Sequence, residues 1–277
     1  MFGDSDRSEG FCMDLELDGK TAIVTGGSRG IGKAIALVLA AEGVDLALVA
    51  RDQAALDAAA RDVATASGRR VVGVVCDTGD TASVDRMVAQ VVTELGSVDI
   101  LVNCAARPGG GPAPRADEVP DDLFHEEMNV KVLGYLRCAR AVAPHMKARG
   151  WGRIINVSGL AARVSGNAVG SMRNVAVAAL TKNLADELGP YGINVTVVHP
   201  GMTWTERVPG MLQAIAERQG ISLEEAEVRL LRQNSLQRTI DATDIANVVA
   251  FLASPKSVAI TGDAIAAGGG AGRSIYY

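Results

Sequence analysis

Short runs that are apolar on both faces alternate along this chain with longer alanine- and leucine-rich stretches of helical period. Residues 21–26 read TAIVTG, 44–50 VDLALVA, 71–76 VVGVVC and 98–103 VDILVN. GRIINVS at 152–158, INVTVVHP at 193–200 and DAIAAGG at 263–269 continue the series. Helical periodicity fills the gaps over 32–42, 52–66, about 120–148 and from about 168. Strands apolar on both faces and separated by helices predict a parallel sheet covered on both sides, which is a doubly wound α/β (Rossmann) fold. Two segments break the rhythm: RPGGGPAPRADEVP at 107–120, and an amphipathic insertion within 202–240. Loops after the carboxyl ends of parallel strands border the ligand crevice, so the insertion is expected to be a substrate lid.

Composition narrows the class. With 277 residues and 48% hydrophobic content the chain can bury one large core, and a single domain over 14–277 is expected behind a disordered lead at 1–13. A net charge of -5 with scattered Lys and Arg excludes an electrostatic footprint for nucleic acid or anionic membrane. The expected partner is a small-molecule substrate. Cysteines at 12, 76, 104 and 138 form neither a metal pattern nor a disulfide framework. They read as reduced thiols of a cytoplasmic protein that binds no metal.

The first strand runs into TGGSRGIG, which sets Gly26, Gly30 and Gly32, with Ser28, Arg29 and Ile31 between them, at a strand-to-helix junction. Such a turn brings backbone N–H groups to a pyrophosphate at the positive end of a helix. A nucleoside-triphosphate loop over 27–33 competes for the same residues, but Ala34 stands where a hydroxyl is needed for Mg²⁺. The second strand ends in Ala50 and Arg51, without the acidic side chain that takes a ribose 2′-hydroxyl. Arg51 and Arg29 together favour a 2′-phosphate, so NADP(H) is expected over NAD(H).

In family order the chain then shows Asp77 in CDTGD, NCAA at 103–106, Asn129 in MNVKVLGY, Ser158 in INVSG and PGMTWT from 200. Together with TGGSRGIG, these motifs resemble the short-chain dehydrogenase/reductase family from about Asp14 to Gly270. The resemblance implies that Asp77 holds the adenine, that Asn103 and Ala105 line the cofactor, and that Thr78, Pro200 and Gly201 also bind it. It places Thr205 on the nicotinamide side. Asn129 would anchor a water and backbone relay, and Ser158 would hydrogen-bond the substrate oxygen.

The same resemblance expects a tyrosine and a lysine one turn apart in GNAVGSMRNVAVAALTKNLADELG at 166–189. Gly170 and Asn174 stand at those places, and a register one residue later gives Ser171 and Val175. A phenol acidified by a neighbouring ammonium protonates the oxygen in the transition state, help worth roughly 10²- to 10⁴-fold. Stand-ins are Arg173 as a fixed charge, His199 as an acid near neutral pH, and Tyr276 or Tyr277 reaching a neighbouring subunit. Tyr135 and Tyr191 sit away from the expected cleft.

Two functions follow. One is an NADP(H)-dependent oxidoreductase with an unusual proton donor, acting on a carbonyl or, as in dienoyl-CoA reductases of the family, on a conjugated C=C bond. The other is a catalytically silent NADP(H)-binding sensor or structural subunit. A small-residue face of Val175, Ala176, Ala179, Leu180 and Leu184 suggests a homodimer or homotetramer.

Overall fold

The computed structural model describes residues 13–106 and 113–272. The chain builds β1 (Thr21–Thr25), α1 (Gly30–Ala41), β2 (Asp45–Ala50), α2 (Gln53–Ser67), β3 (Val71–Val75), α3 (Thr81–Leu95) and β4 (Ile100–Asn103). It continues with α4 (Asp121–Glu127), a π-helical turn (Met128–Leu133), α5 (Gly134–Arg149), β5 (Gly152–Val157), α6 (Ala168–Leu188) and β6 (Ile193–Pro200). The last elements are α7 (Val208–Gln219), α8 (Leu223–Leu231), α9 (Ala242–Ala253) and β7 (Ala264–Ala267).

All seven strands pair in parallel in the order β3-β2-β1-β4-β5-β6-β7. The expected doubly wound sheet is thus present. Its two apolar faces account for the unbroken hydrophobic runs. Ala22 and Val24 of β1 join Ile35 and Leu39 of α1 and Val249 and Leu252 of α9, while Ile23 between them joins Met87 of α3, Val142 of α5 and Leu188 of α6. Asp52 and Asp80 cap α2 and α3 by accepting from Ala55 N and Ser83 N at 3.1 and 2.8 Å. Gly68 and Gly96 end those helices at positive φ.

Strand order reverses between β1 and β4, so a crevice opens beyond their carboxyl ends. Thr25 ties the two ends together: its Oγ1 accepts from Cys104 N at 3.0 Å and Ala105 N at 3.1 Å. The insertion folds as α7 and α8 around Val208, Leu212, Ala216, Ala226 and Leu230, a small cluster of its own. Its ends are joined where Trp204 N donates to Ile240 O at 2.8 Å. The first twelve residues, 107–112, and the tail with Tyr276 and Tyr277 lie outside the described residues.

The helix expected over about 120–148 is the one element whose interior differs. Its turn at Met128–Leu133 widens to a π form because two backbone carbonyls bond sideways to side chains. Asn129 O accepts from Arg137 Nη1 at 3.1 Å, and Val130 O accepts from Thr78 Oγ1 at 3.4 Å.

Candidate active site

The glycine-rich turn forms one wall of a cleft of about 640 Å³. Gly26 has φ +68°, and a Cβ there would meet Cys104 O at 3.0 Å; one on Gly32 would meet Gly26 O at 2.2 Å. Only glycine lets the turn lie this close to the β4 loop and to itself. Helix α1 begins at this turn with no side-chain cap and no acidic residue in its first turn. Its leading N–H groups are left for an anion.

Around this cradle the structure gathers most of the expected cofactor residues. Gly26, Ser28, Arg29, Gly30, Ile31, Gly32, Arg51, Asp77, Thr78, Ala105, Gly201 and Thr205 all line the cleft. Asp77 also shapes its own loop, its Oδ1 accepting from Gly79 N at 2.9 Å. Pro200 closes β6 just behind the wall. Asn103 is buried beneath the floor, where its Nδ2 donates to Asn156 Oδ1 at 3.0 Å, and Asn156 Nδ2 donates to Thr181 Oγ1 at 2.9 Å. It braces β4 against β5 and α6 instead of facing the cleft.

The catalytic candidates divide. Ser158 follows β5, its backbone N–H bonded to Val198 O at 2.8 Å, and its Oγ donates to Asn174 O at 3.4 Å. Asn174 is buried, at 2% exposure, and its Nδ2 donates to Gly159 O at 3.4 Å. Gly170 lies under the N-terminal cap of α6, where Asn167 Oδ1 accepts its N–H at 2.8 Å. The single lysine of α6, Lys182, pairs with Asp186 at 2.6 Å on an exposed face, and the helix contains no tyrosine.

Arg173 forms an ion pair with Glu127, and its Nε donates to Asn174 Oδ1 at 3.4 Å. Its charge is thereby answered within the protein. His199 is 1% exposed and accepts from Gly159 N on Nδ1 at 3.3 Å. Burial first, and Arg163 next, pull its pKa down to about 4. The imidazole is neutral at pH 7 and carries no transferable proton on Nδ1. Tyr135 is buried with its hydroxyl donating to Val157 O at 2.8 Å, and burial raises its pKa well above 10.

Asn129 is not brought to Ser158. Its Oδ1 accepts from Arg137 Nη2 at 2.8 Å and its Nδ2 donates to Gly79 O at 3.3 Å, which pins the loop after β3 to the π turn. Two residues on, the π turn carries inward a side chain that motif reasoning passed over. Lys131 is 4% exposed, and its Nζ donates to Ser158 O at 3.0 Å. Desolvation first, then Arg173, push its pKa down to about 7, with Cys104 and Glu127 pulling the other way. Cys104 itself is pushed up to about 11 by burial. The signal available in sequence was a lysine inside an otherwise apolar stretch, VKVLGY.

A doubly wound parallel sheet with a glycine cradle at its switch point and a serine at the end of β5 defines a dinucleotide-type oxidoreductase scaffold. The family model described as enoyl-(acyl carrier protein) reductase matches residues 26–272. The short-chain reductase protein NovJ of Streptomyces niveus is 36% identical over 250 residues, covering 90% of this chain and 92% of that protein. A 3-oxoacyl-(acyl-carrier-protein) reductase of Staphylococcus aureus is 36% identical over 255 residues, covering 91% and 97%. The crystal structure of L-sorbose reductase from Gluconobacter frateurii, complexed with NADPH and L-sorbose, superposes with a TM-score of 0.88 at 29% identity, covering 95% of this chain and 100% of that one. This chain therefore belongs to the short-chain dehydrogenase/reductase family, a family of oxidoreductases, as its motifs implied. No helix among the described residues is long and apolar enough to cross a membrane.

Proposed function

We propose that this protein is an NADP(H)-dependent reductase of a small, moderately hydrophobic carbonyl or enone compound, and that it works without the family's tyrosine and lysine. The observation that carries the proposal is the juxtaposition of an uncapped, glycine-lined helix start with Arg29 and Arg51 on one side and Ser158 beyond β5 on the other. The cradle would hold the pyrophosphate, the two guanidinium groups the 2′-phosphate, and Asp77 and Thr78 the adenine. Bound there, a reduced nicotinamide supplies a hydride. Ser158 Oγ, which now donates to Asn174 O, would turn to donate to the substrate oxygen.

A second cavity of about 820 Å³, lined in part by Pro114, Ala161, Arg163, Val164, Asn167 and Met172, would receive the substrate in this reading. Such a lining would suit a compound with an apolar body and a polar group. Pairing of subunits through α6 would use Met172, Val175 and Ala179, which face outward, whereas Leu184 is in the subunit's own core. NADPH oxidation followed at 340 nm over diketones, quinones and enones tests the proposal. Turnover lost in Ser158→Ala supports it; saturable NADPH binding with no turnover on any compound favours a silent nucleotide-binding protein.

A further inference from the structure

Resting on the reductase reading, we propose that Lys131, carried by the π turn, supplies the proton that the substrate oxygen needs at Ser158. Geometry comes first. Lys131 Nζ is bonded to the carbonyl of Ser158, the residue proposed to hold the substrate oxygen, and that is the one hydrogen bond its ammonium makes among the described residues. An ammonium has three N–H donors, so two remain for a substrate oxygen or a bridging water. Among the described residues no carboxylate lies within ion-pair distance of Lys131. Glu127, the acid on the adjoining turn, is engaged by Arg173.

Burying a lysine without a counter-charge is costly, and a core position in a helix is more cheaply filled by leucine or methionine. An uncompensated amine beside the reacting serine is the kind of expense that function explains. The groups facing it are Cys104 after β4, Glu127 on α4, Arg173 on α6 and, more remotely, His199 on β6. Arg173 disfavours the ammonium, Cys104 and Glu127 favour it, and desolvation outweighs them all, which tunes the amine to neutral pH.

As the carbonyl carbon gains a hydride from the reduced nicotinamide, the C=O π pair passes to oxygen and takes a proton from the Lys131 ammonium. The amine is left neutral and is recharged from solvent, while the dinucleotide is oxidised. In this proposal the lysine comes from the π turn, since the one lysine of α6, Lys182, pairs with Asp186 on an exposed face.

Two measurements test this on the full chain. In protein labelled with ¹³C at lysine Cε and free of cofactor, the resonance missing from Lys131→Met is expected to titrate near pH 7. In turnover, wild-type kcat/KM is expected to fall as pH rises through the same value. Lys131→Met and Lys131→Arg should lose roughly 10²- to 10⁴-fold and the pH limb with it, while NADPH affinity stays within about twofold. A Lys131 resonance titrating in the ordinary lysine range, or a variant that keeps both activity and pH limb, overturns the proposal alone. A wild-type protein inactive on every compound overturns the reductase reading and this proposal together.

Discussion

The side chain of Asn167 occupies the space that a side chain on Gly170 would need. A Cβ at 170 would lie 2.8 Å from Asn167 Cγ and 2.9 Å from its Nδ2, while the Asn167 oxygen accepts the Gly170 N–H. The start of α6 is therefore built around glycine at one of the two positions where the family resemblance expects tyrosine. Gly170→Tyr is expected to displace the cap and lower stability by about 1–2 kcal/mol, without raising NADPH oxidation. Urea unfolding and the 340 nm assay check this. A tyrosine variant of unchanged stability and higher kcat/KM would contradict it.

Arg29 and Arg51 both line the cleft, and no acidic side chain ends β2. A charge-assisted hydrogen bond contributes about 1.5–3 kcal/mol. Arg51→Ala is expected to weaken NADPH binding roughly tenfold to a hundredfold and to leave NADH binding nearly unchanged. Parallel fluorescence titrations with the two cofactors measure the ratio.

The buried His199 makes a pH prediction whose sign is fixed. Its folded pKa of about 4 lies below its ordinary value of 6.5, so between these values the unfolded chain binds a proton that the native protein does not. Stability is expected to fall as pH drops from 6.5 towards 4, by an amount on the order of 3 kcal/mol. His199→Gln should flatten that slope. Lys131 acts in a separate window, between about 7 and its ordinary 10.5, where stability rises with pH. Urea midpoints at several pH values separate the two.

The ion pair between Arg173 and Glu127 offers opposed perturbations of one titration. Arg173→Met removes a cation near Lys131 and frees Glu127, so the pKa of Lys131 is expected to rise. Glu127→Gln removes an anion and frees Arg173, so it is expected to fall. The pH limb of kcat/KM should move in opposite directions in the two variants, by roughly half a unit to one unit. Movement of both in the same direction would contradict the electrostatic account.

Most of the sheet could be read from the chain because parallel strands buried on both faces leave unbroken apolar runs, as in DLALVA and INVTVVHP. The glycine cradle was equally legible, since a positive φ at Gly26 and Gly30 restricts the residue type. Lys131 was not. Helical periodicity assumes a uniform turn, and a π turn set by Arg137 and Thr78, which bond to carbonyls of the residues just before Lys131, rotates one side chain onto another face. The same widening explains why Asn129, next to it in the motif, faces Gly79 and Arg137. His199 also looked available by its position at a strand end, and only its burial shows that it is neutral.

Hydride transfer from NADPH onto a substrate held by Ser158 is the reaction proposed for this site. It is tested most directly by incubating the protein with NADPH carrying deuterium at C4 and an accepted carbonyl or enone, then weighing the product by mass spectrometry. One deuterium is expected in the product with wild-type protein, and at least a hundredfold less product with Ser158→Ala, a loss of the size expected for a group acting in the transition state. NADPH bound saturably, with no deuterium reaching any compound offered, would contradict it.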